Sequence, residues 1–175
     1  MSEAISAAGL LRGQYKGAHD WLEGTLGDIT AEQAHKQMGG NTTNIASQYA
    51  HVLMGEDALL SMMVMGTPPL LASSHAGKTG ISEPPPMGAW HEWAEKVKVD
   101  LPLARQYAQA VYANTDAYLA KLTNEDLTRP LDLSMIGMGQ QTVAFLLSIM
   151  LANCGNHTGE ISCLKGMQDL KGYPA

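Results

Sequence analysis

Apolar residues recur every three to four positions along four long stretches of the chain, the spacing of one helix face. The first stretch runs from about Glu3 to Leu26 and carries Ile5, Ala8, Leu11, Tyr15, Ala18 and Leu22. Gly27-Asp28 ends it. Thr30 with Gln33 then matches the capping-box pattern of a short helical turn, and Gly39-Gly40 breaks the chain again. The second stretch, from about Thr43 to Met65, shows Ile45, Tyr49, Val52, Leu59, Leu60 and Met63 on one stripe. Asn41, Thr42 and Thr43 offer caps for its start. Gly66-Thr67-Pro68-Pro69 stops it, and a link of about twenty residues follows through Pro84-Pro85-Pro86, a length more common in functional or mobile loops.

The third stretch runs from about Ala89 to Leu122. Pro102, with Asp100 before it as a cap, divides it into a short helix and a main helix from Leu101. Thr123 to Thr128 reads as another capped turn, and Arg129 to Gln141 is an irregular link with room for a small hairpin. The fourth stretch spans Thr142 to Leu170 and ends before Gly172-Tyr173-Pro174. This order predicts an all-α chain: a four-helix bundle with a long crossover loop between its second and third helices. No repeat or linker divides residues 1–175, so one domain is expected.

Composition agrees with helices. The chain of 175 residues is 45% hydrophobic and holds 11 Met, while the β-branched residues that favour strands are scarce. Charged residues make up 16%, against roughly 25% in an average domain. The net charge of −6, with no basic cluster, makes nucleic acid a poor partner. No apolar run reaches the roughly 18 residues of a membrane span. Met1-Ser2-Glu3 opens no signal peptide. Cys154 and Cys163 are too far apart for a CxxC motif and too few for a disulfide framework, so a cytoplasmic location is the simplest expectation.

Of the six histidines, His35 and His75 fall in a turn and a loop, and His91 lies beside Glu92 and Glu95, all three reading as surface groups. His19 follows Ala18 on an inward face, with nothing to mark it further. His157 falls on the apolar side of the fourth helix with Val143, Met150, Cys154 and Ile161. His51 lies on a run of small or polar residues, Asn44, Ser47, Gly55 and Ala58, which leave space beside an imidazole. Glu56 sits near the centre of the second stripe. A carboxylate there needs a partner or a wet cavity, unless the helix is turned so that it reaches the rim. Asn153 and Glu160 flank His157 by one turn each and give an apolar helix a polar edge.

Leu26-Gly27-Asp28-Ile29-Thr30-Ala31-Glu32-Gln33, followed by Asn44-Ile45-Ala46-Ser47 and His51, is similar to the first half of the DinB-like (DinB/YfiT) metalloenzyme superfamily. The closing part, Asn156-His157-Thr158-Gly159-Glu160-Ile161 with Leu164-Lys165-Gly166 and Lys171-Gly172-Tyr173-Pro174, resembles that family's last helix and tail. The resemblance implies a four-helix bundle that binds a divalent metal, zinc or nickel, through one histidine of the second helix and an HxxxH pair of the fourth. By position these are His51, Asn153 and His157, and Asn153 departs from the pattern. A neutral amide oxygen is a weaker ligand for zinc or nickel than an imidazole. Glu56, Glu160, Cys154 or water are the groups that could complete such a site.

Relatives of this kind include thiol-dependent transferases and isomerases, so the resemblance implies a metal-dependent transferase or hydrolase. Glu56 and Glu160 are its candidate catalytic residues, as base or as a partner that orients a ligand. The alternative is a metal-free small-ligand-binding or interaction protein on the same scaffold. The methionines Met54, Met62, Met63 and Met65 suit an adaptable pocket, a homodimer seam or plain core packing. The expected partners are an unidentified small molecule and a second copy of the chain.

Overall fold

Ser6 opens the first helix, α1 (Ala7–Leu26), by accepting a hydrogen bond from the Gly9 amide at 3.0 Å. The computed structural model describes residues 6–86, 88 and 90–174. Glu3 and Ile5 of the first stretch and Ala89 at the start of the third therefore lie outside the described residues. α1 ends where Gly27 turns to φ 50°, a conformation that suits glycine. The Lys165 ammonium, itself buried, donates to the Thr25 and Leu26 carbonyls left open at that end. α2 (Ala31–His35) carries the expected Thr30–Gln33 capping box.

α3 (Ile45–Ala58) is capped by Asn44 rather than by the three residues before it. The buried Asn44 side chain accepts from the Ser47 amide at 2.8 Å and donates to the Ala94 carbonyl at 3.1 Å. The helix continues as a widened segment with longer-range hydrogen bonds over Leu59–Met65, then stops at Gly66 in the left-handed region. The crossover that follows is tied down. The buried Asp57 carboxylate accepts from the Leu70 and Leu71 amides, at 2.8 and 2.9 Å, and from the Tyr107 hydroxyl at 2.7 Å. Ile81 then bridges to Val99.

α4 (Trp90–Lys96) precedes α5 (Leu101–Leu119), which starts at an Asp100 cap with a proline in its first turn, as the sequence predicts. After α6 (Asn124–Thr128), a hairpin pairs β1 (Pro130–Asp132) with β2 (Gln140–Thr142), antiparallel, Leu131 opposite Gln141. α7 (Val143–Gly166) follows from a Thr142 cap. It ends four residues short of the apolar pattern, because the chain turns after Gly166 and Asp169 adopts φ 58°.

Among the described residues the chain is thus mainly helical with one two-stranded sheet. α1 packs against α7 and α5, and α3 packs against the same two helices. Tyr49, Leu53, Tyr107 and Ile161 belong to one buried cluster, and Leu60, Leu119, Leu146 and Leu147 to a second. Truncating any of these leucines to alanine costs about 2–5 kcal/mol. The C-terminal tail is part of the packing. Gly172 lies against the Ser162 backbone and Pro174 against Gly24, and the Tyr173 ring is 5.7 Å from that of Trp21. Among the described residues no helix is long and apolar enough to cross a membrane.

Candidate functional site

α3 and α7 bring His51 and His157 together: their ring centroids are 4.8 Å apart and nearly perpendicular, at 79°. Trp90, the first residue of α4, closes the group with its ring 4.3 Å from His51 and 6.3 Å from His157. Two cavities meet at this cluster, because Trp90 and His157 line both. One, of about 670 Å³, reaches Gln48, Glu160 and Cys163. The other, of about 610 Å³, is lined by His51, Met54, Gly55, Ala58 and the Pro84–Pro86 run of the crossover. Gly55 and Ala58 thus leave the open space their size implies. Asn44 and Ser47, on the same run, are instead buried and hydrogen-bonded to each other.

The two imidazoles are prepared differently. His157 Nδ1 lies 2.6 Å from Glu160 Oε2, one turn along α7. Nδ1 of His51 is buried and has no hydrogen-bond partner among the described residues. Burial, and then the neighbouring His157, pushes the His51 imidazole down from 6.5 to about 4, while Asn153 and Glu160 oppose the shift. His51 is therefore neutral near pH 7, with a lone pair to offer. The Gln48 side-chain oxygen is another buried polar atom without a partner among the described residues, on the wall of the larger cavity.

Other expected participants stand elsewhere. The Glu56 carboxylate accepts from Thr115 at 2.6 Å and lies 3.0 Å from His19 Nε2, and Glu56 lines neither cavity. Cys154 is buried, its thiol 3.8 Å from the Ala18 carbonyl. Burial and then Glu56 push that thiol up to about 12, so it stays protonated at neutral pH. Cys163 is exposed and lines the larger cavity. Among the described residues no three His, Cys, Asp or Glu side chains converge on one metal position.

His91 is partly exposed and pairs weakly with Glu95 at 3.5 Å, as a surface group would, but it also lines the larger cavity. The surface reading fails for His35, whose ring accepts from the Val99 amide at 3.0 Å and whose other nitrogen meets the Ala31 carbonyl at 2.8 Å. His75 is half-buried over Tyr107 at 5.8 Å. Sequence reasoning also passed over Trp90 and Gln48. Neither carries a local signal, since each earns its place only through the packing of α4 and α7 on α3.

A model of the DinB superfamily matches residues 14–161. The chain belongs to the DinB superfamily. The match covers His51, Asn153 and His157 and stops before the Gly172-Tyr173-Pro174 tail. Among solved structures, this DinB protein is similar to the conserved protein of locus from Enterococcus faecalis, with a TM-score of 0.79 and 22% identity. The alignment covers 94% of this chain and 98% of that one, a likeness of fold. No curated protein matches the chain.

Proposed function

We propose that this DinB protein is a four-helix bundle that holds a divalent metal, zinc or nickel, between α3 and α7, and acts on a small molecule as a metal-dependent transferase or hydrolase. The observation that carries this reading is the buried, unpartnered Nδ1 of His51 set beside His157. An orphaned buried ring nitrogen is costly unless something binds it. His157 supports the same reading. Its Nδ1 proton is held by Glu160, which leaves Nε2 as a lone-pair donor, the arrangement common to metal-binding histidines. Asn153, one turn before His157, supplies a neutral amide oxygen.

When bound, the metal supplies a Lewis acid that lowers the pKa of a thiol or water. The protein's own contribution is orientation. Glu160 fixes the tautomer of His157, Trp90 and Met54 exclude water from one side, and Gln48 offers an acceptor to a substrate donor group. No Lys or Arg is among the described residues lining the two cavities, so the site suits an uncharged substrate head better than a phosphate.

Metal analysis of protein purified without chelator tests the reading. About one equivalent is expected in the wild type, lost in His157→Ala. Substoichiometric metal, unchanged in His157→Ala, would overturn it. A second reading, a metal-free small-ligand-binding or interaction protein on the same scaffold, is favoured by Asn153, by the methionines of the second stretch, and by the lack of three converging His, Cys, Asp or Glu side chains among the described residues. It gains if Asn153→His creates tight zinc binding where the wild type has none.

A further inference from the structure

α1 and α5 enclose a separate cleft of about 650 Å³ on which neither His51 nor His157 borders. His19, only 6% exposed, lines it. Its Nε2 lies 3.0 Å from Glu56, and the Glu56 carboxylate is steadied by the Thr115 hydroxyl. A carboxylate can only accept, so in the neutral ring the proton sits on Nε2 and the lone pair on Nδ1. Nδ1 has no hydrogen-bond partner among the described residues. The ring cannot turn freely to find one, because Tyr112 stacks on it at 3.8 Å and 17°.

The other polar groups of the cleft are already engaged. The Tyr15 hydroxyl donates to the Leu147 carbonyl and the Tyr112 hydroxyl to Glu23. At the rim, Arg12 pairs with Asp116 and Lys16 with Asp20. Tyr15, Tyr112 and Leu119 leave apolar walls, and Gly13 leaves its part of α1 bare. In the neutral ring Nδ1 is an acceptor backed by a buried carboxylate, so an anion is repelled and a neutral donor is matched.

The geometry points to a second ligand site, in which His19 Nδ1 accepts a hydrogen bond from a small uncharged molecule bearing one hydroxyl on an apolar body. Phenol is the simplest such probe. The Glu56–His19 pair orients the acceptor, and the apolar walls hold the body.

The test is titration of phenol into the full chain, followed by NMR of the histidine Cε1–H signals, with His19 assigned by its loss in His19→Gln. A saturable shift of the His19 signal is expected, with His51 and His157 unmoved. Toluene, which lacks the hydroxyl, should bind about tenfold more weakly, the worth of one good hydrogen bond. Gly13→Leu fills the cleft from a helical position whose Cβ meets nothing within 4 Å, and it leaves the Glu56–His19 pair intact. That variant should fold and lose saturable phenol binding. An unmoved His19 signal, equal binding of toluene, or phenol binding retained in Gly13→Leu would each overturn the proposal. None of these outcomes bears on metal at His51 and His157, so the two readings fail separately.

Discussion

His157 Nδ1 sits 2.6 Å from Glu160 Oε2, and this contact within α7 decides which ring nitrogen is left to face the cavities. Glu160 is half-exposed, with 52% of its side-chain surface accessible, so it contributes little to the fold.

Glu160→Ala should therefore separate binding from stability. Zinc affinity measured by calorimetry should fall about 10–100-fold, the usual effect of losing a partner that orients a metal-binding histidine. The unfolding midpoint in urea should move by no more than about 0.5 kcal/mol in free energy. Unchanged zinc affinity would remove Glu160 from the site.

The metal-free protein should lose stability as pH falls from 6.5 toward 4. His51 has its folded pKa depressed from 6.5 to about 4, so the unfolded chain binds the extra proton in that window. Stability then rises with pH through the window and is complete above it. The loss at the acid end should be on the order of 2 kcal/mol, allowing for the partial exposure of the ring. Urea titrations near pH 7 and pH 4.5 measure it. His51→Phe should flatten this part of the profile.

Glu56 should matter to the fold whether or not it serves any ligand. Glu56→Ala leaves the Thr115 hydroxyl and His19 Nε2 without their acceptor in the interior, at a cost of about 3 kcal/mol. Glu56→Gln keeps one oxygen and should cost about half of that. Chemical denaturation of the two variants gives the comparison.

Gly172 should tolerate no side chain without adjustment. A Cβ there would stand 3.1 Å from the Ser162 carbonyl oxygen and closer still to its hydroxyl. Gly172→Ala should destabilise by about 1–3 kcal/mol, the range of a forced fit in a packed place. Thermal unfolding checks this, and zinc affinity should stay unchanged.

These variants also mark what could be read from the residues alone. The helices follow from local signals, and Ser-, Thr- and Asp-type caps begin them where the apolar pattern starts. The apolar spacing runs on to Leu170, past the end of α7, whereas the backbone turns after Gly166, where Lys165 bonds carbonyls of α1 and Gln168 the Gln33 carbonyl of α2. Glu56 was legible as a carboxylate in need of a partner. Its partner was not, since His19 is 37 positions away and only the packing of α1 on α3 brings them together. The pairing of His51 with His157 came from resemblance in motif order, for no periodicity within either helix points to the other. The Gly-Tyr-Pro tail shows the reverse case. In sequence it resembles the tail of a family, and in the structure its place is a steric one, against Ser162 and Gly24.

Asn153 stands one turn before His157, where the resemblance drawn from the sequence implies a histidine. Asparagine and histidine codons differ in their first base alone. A third imidazole beside His51 and His157 is therefore a single nucleotide change away. If the amide form persists, it does so against an alternative that is always within reach, which makes Asn153→His the most informative single variant of this chain.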